Sequence, residues 1–306
     1  MGIFNKNYES AGTGIAKNAP KKTGSKLFFE ILGVKFWKLI EVNMLYSLFF
    51  IPLILAGAFF FGGFLSPNLS SIVSLICLIA FAVLFGPATS GMTKVIRSFI
   101  LDKHSFIMRD FFKAFKANFK LSAIIGFADC LVITSIALGM IIYPGIAKVS
   151  GNSAIYVLLA ISISVGLTIL IMNFYTFPMI IATDLSLINI VKNSFALTCI
   201  ALKKNALTLL ISVGLSAIMF LLALWNMSFS FLLPFFPAAF ICFISCFNSY
   251  PEIQKYIINP YYASKGEINP ELSSYNSQEN ETLFEDKGGK EQPIEKRKKG
   301  SRKRIS

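Results

Sequence analysis

Residues 35–56 read Lys35-Phe36-Trp37-Lys38-Leu39-Ile40-Glu41-Val42-Asn43-Met44-Leu45-Tyr46, then Ser47-Leu48-Phe49-Phe50-Ile51-Pro52-Leu53-Ile54-Leu55-Ala56. The first half is basic and aromatic. The second half carries no charge. The pattern predicts a segment that lies on a membrane surface, turns at Asn43 and enters the bilayer. Composition agrees: the chain is 55% hydrophobic and 15% charged, with mean hydropathy +0.64. That is too apolar for a soluble globular domain.

Working outward, the apolar runs are about 20 residues long, enough to cross a hydrocarbon core of about 30 Å as helices. They do not alternate as strands of a membrane barrel would. The predicted fold is all-α, a polytopic helical bundle with six spans, near residues 43–62, 71–92, 121–143, 154–182, 205–225 and 229–247. Pro52 is expected to kink the first. Interfacial helices are predicted near 27–41, 105–119 and 185–203. The second is the sharpest: Phe111, Phe112, Phe115 and Phe119 share one face, and Arg109, Lys113, Lys116 and Lys120 fall largely on the other. Thr183-Asp184 is expected to cap the third. Residues 1–25 read as a flexible cytoplasmic tail, 26–250 as the membrane domain and 251–306 as a largely disordered cytoplasmic tail with a basic end. No cleavable leader is read at the start, and Lys6 breaks the myristoylation pattern.

The design of elbow, span, short turn and returning span recurs three times. Asn43, Asn118 and Asn205 each close an elbow, where capping is the expected role. Pro87, Pro178 and Pro237 each fall in a returning span, where proline kinks a helix and frees a carbonyl. Ala82, Gly86 and Ser90 form a small-residue face on the second span, and Ser122, Gly126 and Cys130 another on the third; such faces let helices approach closely. Orientation follows from charge. Of the 29 Lys and Arg residues, all but Lys148 fall on one side of this six-span arrangement, which predicts both termini in the cytoplasm of a bacterial cell.

Chemistry is sparse. The five cysteines are an odd count, mostly within apolar spans, and the single histidine, His104, has no metal-ligand spacing with them. No metal, cofactor or disulfide framework is expected. Gly57, Gly62 and Gly63 lack the lysine and context of a phosphate loop. No catalytic constellation is present, so an enzyme is not expected.

Several motifs resemble one family. The opening Met1-Gly2-Ile3-Phe4-Asn5-Lys6, the elbow Lys35–Tyr46, Gly86-Pro87-Ala88-Thr89 and the run Arg109–Phe119 resemble the YesL family of bacterial integral membrane proteins, built around a domain of unknown function. The pieces Gln254–Tyr262 and Phe284–Glu291 resemble its longer members. The resemblance implies an accessory or regulatory role beside carbohydrate transporters and supplies no catalytic residues.

Asp129 is the one acid deep within a span, about 9 residues or 13 Å from its start. A carboxylate at that depth is costly and marks a functional site by default. Asn173 lies at a similar depth in the fourth span. The pair is read either as hydrogen-bonded glue between helices or as a site for a proton or polar solute. Two functions compete. One is an accessory subunit partnered with transporter subunits. The other is an independent small-solute or lipid carrier using Asp129. The basic elbows and C-terminus are expected to meet anionic headgroups rather than nucleic acid.

Overall fold

The computed structural model describes residues 24–63 and 65–271. Chain contacts divide it into Thr23–Glu267, which holds the helices below, and a second unit, Met1–Lys22 with Ile268–Ser306, of which only residues 268–271 are described. Among the described residues there is no strand. The helices are α1 (Ser25–Ser47), α2 (Ile51–Phe61), α3 (Pro67–Ile100), α4 (Ile107–Ala117), α5 (Phe119–Ser150), α6 (Ile155–Ala182), α7 (Leu187–Ile200), α8 (Leu202–Trp225), α9 (Ala238–Ile253) and α10 (Asn259–Ser264). Among the described residues, five helical stretches are long and apolar enough to cross a membrane: Ser25–Phe61, α3, α5, α6 and α8.

The first elbow does not turn at Asn43. Helix α1 runs through Asn43 to Ser47, and the irregularity is a 3-10 turn at Leu48–Phe50 before α2. Pro52 accounts for the position: it has no N–H for the Leu48 carbonyl and its ring crowds that carbonyl. The second elbow breaks at Asn118, between α4 and α5, as the sequence predicts. The third breaks at Ala201, four residues before Asn205. Its helix begins after Ser186, so Thr183-Asp184 is not its cap; the Thr183 hydroxyl instead donates to the Met179 carbonyl at 2.8 Å.

The sixth apolar segment departs most from expectation. Residues 227–232 form a 3-10 helix, and α9 has only 16 residues. Pro237 sits at its N-cap rather than inside it. The helix does not stop at residue 250 either. It continues through a π-helical turn, Gln254–Ile258, into α10. Tyr250, Ile253 and Ile258 hold this extension by packing into a core with Tyr175, Met179, Ile190 and Leu197. Pro251, Glu252 and Lys255 disguise that apolar stripe as tail. The basic C-terminus lies outside the described residues.

Helix α4 is amphipathic as predicted, but Phe111 and, in part, Phe115 face protein, while Phe112 stays exposed. Phe111 is fully buried, packs against Gly91 of α3 and stacks on Phe49, and Phe115 meets Phe49 at a tilt, 5.2 Å between centroids. Helices α3 and α5 meet through the two small-residue faces. The Ser90 and Ser122 hydroxyls hydrogen-bond each other. A Cβ on Gly86 would lie 1.7 Å from the Ser122 carbonyl oxygen, and one on Gly126 would lie 2.4 Å from the Gly86 nitrogen. Only glycine at both positions permits this backbone contact. Helix α9 packs against α1, α3, α6 and α8 and joins the two cores.

Candidate functional site

Five helices converge on a partly open cavity of about 280 Å³. Helix α1 contributes Tyr46, α3 contributes Thr89, Met92 and Thr93, and α5 contributes Asp129 and Ile133. Helix α6 adds Leu170, Asn173, Phe174, Phe177 and Pro178, and α9 adds Ile241, Cys242, Ser245 and Cys246. The walls are mainly apolar, with a few polar groups set among them, which is the usual make-up of a small-molecule site.

The cavity sits where it does because of the Gly86–Gly126 contact. That contact brings α5 against α3 one helical turn before Asp129 (residues 126 to 129), so Asp129 is carried into the bundle rather than toward lipid. Its residue is 3% exposed. Asn173 lines the same cavity, so the two residues paired by depth in the sequence do share a site. The carboxyl oxygen Oδ2 nevertheless has no hydrogen-bond partner within the chain. An orphaned buried oxygen costs about 1–3 kcal/mol, more when charged. Such a cost is retained in a membrane interior where a ligand or proton meets it. Across the cavity, the Tyr46 hydroxyl hydrogen-bonds Thr89 at 3.0 Å, and Thr93 donates to the Thr89 carbonyl at 2.7 Å.

The family model for a protein of unknown function, DUF624, matches residues 39–140. The matched stretch includes Asn43, Pro87 and Asp129 and stops short of Asn173. No curated protein and no solved structure matches the chain.

The other sequence-marked residues have separate places. Asn43 is 1% exposed and caps a helix far away in sequence. Its Oδ1 accepts the Ala239 N–H at 2.8 Å, and its Nδ2 donates to the carbonyls of Leu233 and Pro234 at 3.1 and 2.8 Å. It thereby closes the N-terminus of α9, whose first turns line the cavity. Asn118 Nδ2 donates to the Ala114 carbonyl at 3.2 Å, and Asn205 Nδ2 to the Thr198 carbonyl at 3.0 Å, each closing the end of the preceding helix. The Tyr175 hydroxyl donates to Asn205 Oδ1 at 2.6 Å, tying α6 to α8. Pro87 and Pro178 lie buried inside α3 and α6, and of the three prolines Pro178 lines the cavity.

Two features were not singled out in the sequence. Arg97, five residues beyond the predicted end of the second span at residue 92, belongs to the last turn of α3 and is buried. It donates to the Tyr250 hydroxyl, with its guanidinium carbon 4.7 Å from the Tyr250 ring centre. The signal was its helical spacing from Ser90 and Thr93, seven and four residues earlier on α3 and both buried, which places it on the core side. Cys242 and Cys246, one turn apart on α9, bring their sulfurs within 3.9 Å on the cavity wall. All five cysteines are free. Among the described residues, no three of His, Cys, Asp and Glu are grouped to hold a metal ion.

Proposed function

We propose that the chain is a multi-pass protein of the bacterial cell membrane, with six crossings and both termini in the cytoplasm, whose interior cavity binds a small solute or lipid at Asp129. The observation that carries this reading is the buried, unpartnered Asp129 Oδ2 beside Asn173 on the wall of a mainly apolar cavity. A carboxylate and an amide among phenylalanine and leucine side chains suit a ligand with an apolar body and one cationic or hydrogen-bond-donating group. The reading is of a binding protein rather than an enzyme. The test uses purified full-length protein and small alkylammonium probes, with neutral isosteres of the same size as controls. The ammonium probes are expected to raise the Tm of the parent and to have no effect on Asp129→Asn. Equal shifts in both proteins, or none in the parent, would exclude Asp129 as the ligand group.

A second reading makes the chain an accessory or regulatory component of carbohydrate transport. It is supported by the YesL resemblance, of whose motifs 86–89 and 109–119 and the greater part of 35–46 fall within the DUF624 match, while 1–6, 254–262 and 284–291 lie outside it. Affinity purification from native membranes tests it: stoichiometric recovery of transporter subunits is expected, and recovery of the chain alone removes this reading.

A further inference from the structure

We infer that the Asp129 cavity opens sideways into the hydrocarbon core of the bilayer and takes its ligand from the membrane: an amphiphile whose cationic or hydrogen-bond-donating head reaches Asp129 and whose alkyl chain leaves over Ile133 and Leu170. The ligand assignment rests on the reading of Asp129 as the binding group. The opening rests on geometry alone.

The cavity has one closed end and one open end. Ser90 meets Ser122 and Gly86 meets Gly126, so α5 runs opposite to α3. After the short turn at 151–154, α6 returns beside α5. Thr93 meets Cys242 and Arg97 meets Tyr250, so α9 runs alongside α3 in the same direction. Toward the C-terminal ends of α3, α6 and α9, the cavity ends against Thr93, Pro178 and Cys246, all buried. In the other direction, about one turn past Asp129 and Asn173, the wall ends in Ile133 and Leu170. These two line the cavity and are 47% and 37% exposed. The polar pair therefore lies between a closed floor and an aliphatic mouth.

That mouth lies deep in the apolar part of the chain. The first charge beyond it on α5 is Lys148, 15 residues on (residues 133 to 148). That is about 22 Å along the helix, against a hydrocarbon core of about 30 Å. Helix α6 carries no charge from Ile155 to Ala182. The hydroxyls of Ser135, Ser164 and Thr168 are taken up by their own helices, donating to the carbonyls of Leu131, Ala160 and Ser164 at 2.7, 2.8 and 2.9 Å. A water-filled entrance of that depth would be marked by polar or charged side chains facing it. About one turn beyond the mouth, α5 and α6 close on each other: a Cβ on Gly166 would lie 2.0 Å from Ile136 Cδ1. The seam between them therefore does not continue as a passage toward the 151–154 turn, and the way out is lateral. The cavity, about 280 Å³, is at the lower edge of the roughly 300–1,000 Å³ that drug-sized ligands fill. It seats a head and the start of one chain, and the rest of that chain stays among the lipids.

The experiment has two arms, both on the full chain in phosphatidylcholine nanodiscs. The first tests the opening. Leu170→Trp and, separately, Ile133→Trp are made with Trp37→Phe and Trp225→Phe, which remove the two native tryptophans, both exposed and outside the cavity. Each reporter is expected to lose at least half its fluorescence to phosphatidylcholine brominated on its acyl chains and to ignore aqueous iodide. Quenching by iodide, or by neither agent, overturns the lateral opening. The second arm compares dodecylamine with propylamine on the chain with its native residues. Dodecylamine is expected to raise the Tm at an aqueous concentration at least tenfold lower, with no shift in Asp129→Asn. Equal potency of the two amines overturns the amphiphile and leaves Asp129 as the site of a water-borne solute. No Asp129-dependent shift by either amine overturns the reading of Asp129 itself, and the amphiphile with it, whatever the bromine quenching shows.

Discussion

At the scale of single residues, Asp129 separates what the fold needs from what a ligand needs. Its Oδ2 is buried and unpaired, and the wall around it already includes Ile133, Leu170 and Phe174. Leucine has the same branched four-atom side chain, its bulkier methyls can extend into the adjoining cavity, and it has no polar atom to desolvate. Asp129→Leu is therefore expected to leave the Tm unchanged or raise it, by the equivalent of about 1–3 kcal/mol, while abolishing the response to ammonium probes. Thermal unfolding in detergent with and without probe reads both quantities. If Asp129 serves only as glue to Asn173, the substitution lowers the Tm instead. Asn43 makes a different point. Its type and place were legible as a capping signal, but its partners were not: Leu233, Pro234 and Ala239 lie about 190 residues away along the chain. Local sequence suggests that a polar group will be satisfied, and only tertiary structure shows by what.

At the scale of elements, the α3–α5 contact is the feature most open to reading and most sensitive to change. Ala82, Gly86 and Ser90 announce one face and Ser122, Gly126 and Cys130 the other, because close helix approach in a membrane requires small residues. Gly126→Ala is expected to force the helices apart, since its new methyl would stand 2.4 and 2.5 Å from the Gly86 nitrogen and Cα. Backbone cannot swing aside as a side chain can. The expected loss is about 1–3 kcal/mol or more, seen as a fall in Tm, with loss of the Asp129-dependent probe response as α5 shifts. Gly214→Ala on α8 is the control: nothing lies within 4 Å of its built Cβ, so alanine is expected to be neutral or slightly stabilising. An equal fall in the two variants would remove the close-contact argument. The elements the sequence misplaced share one cause. Helix α1 passes Asn43, and α9 runs past residue 250 into Gln254–Ser264. In both cases polar residues looked like boundaries because their partners, on α9 for Asn43 and in the α6–α7 core for the Tyr250–Ile258 stripe, come from elsewhere in the chain. Helix α4 was legible as amphipathic, but Phe111, at the centre of its phenylalanine face, meets Phe49 and Gly91 within the protein, while Phe112 stays exposed. A hydrophobic stripe states that a face is buried and does not state against what.

At the scale of the whole molecule, the open question is whether residues 227–253 make a sixth crossing, since five helical stretches meet the length of a span. Helix α9 has 16 residues, about 24 Å of rise, against a core of about 30 Å. Irregular backbone can complete the distance only if protein shields it and its polar groups are paired. Both conditions are met in part by α1. Asn43 takes the Leu233 and Pro234 carbonyls, while the Phe236 N–H bonds the Leu232 carbonyl at 2.9 Å. Helices α1, α3, α6 and α8 surround α9, so it need not be long enough to face lipid throughout. Charge points the same way: of 29 basic residues only Lys148 would lie outside in a six-span arrangement, whereas five spans from a cytoplasmic N-terminus would export the basic C-terminal tail. An epitope at the C-terminus of the full chain is therefore expected to resist protease in intact protoplasts and to be cleaved in inside-out vesicles. An epitope inserted at Ser228 is expected to behave in the opposite way. Cleavage of the C-terminal epitope in intact protoplasts would establish five crossings, and would place α9 as a plug that enters the bundle and returns to the side it came from.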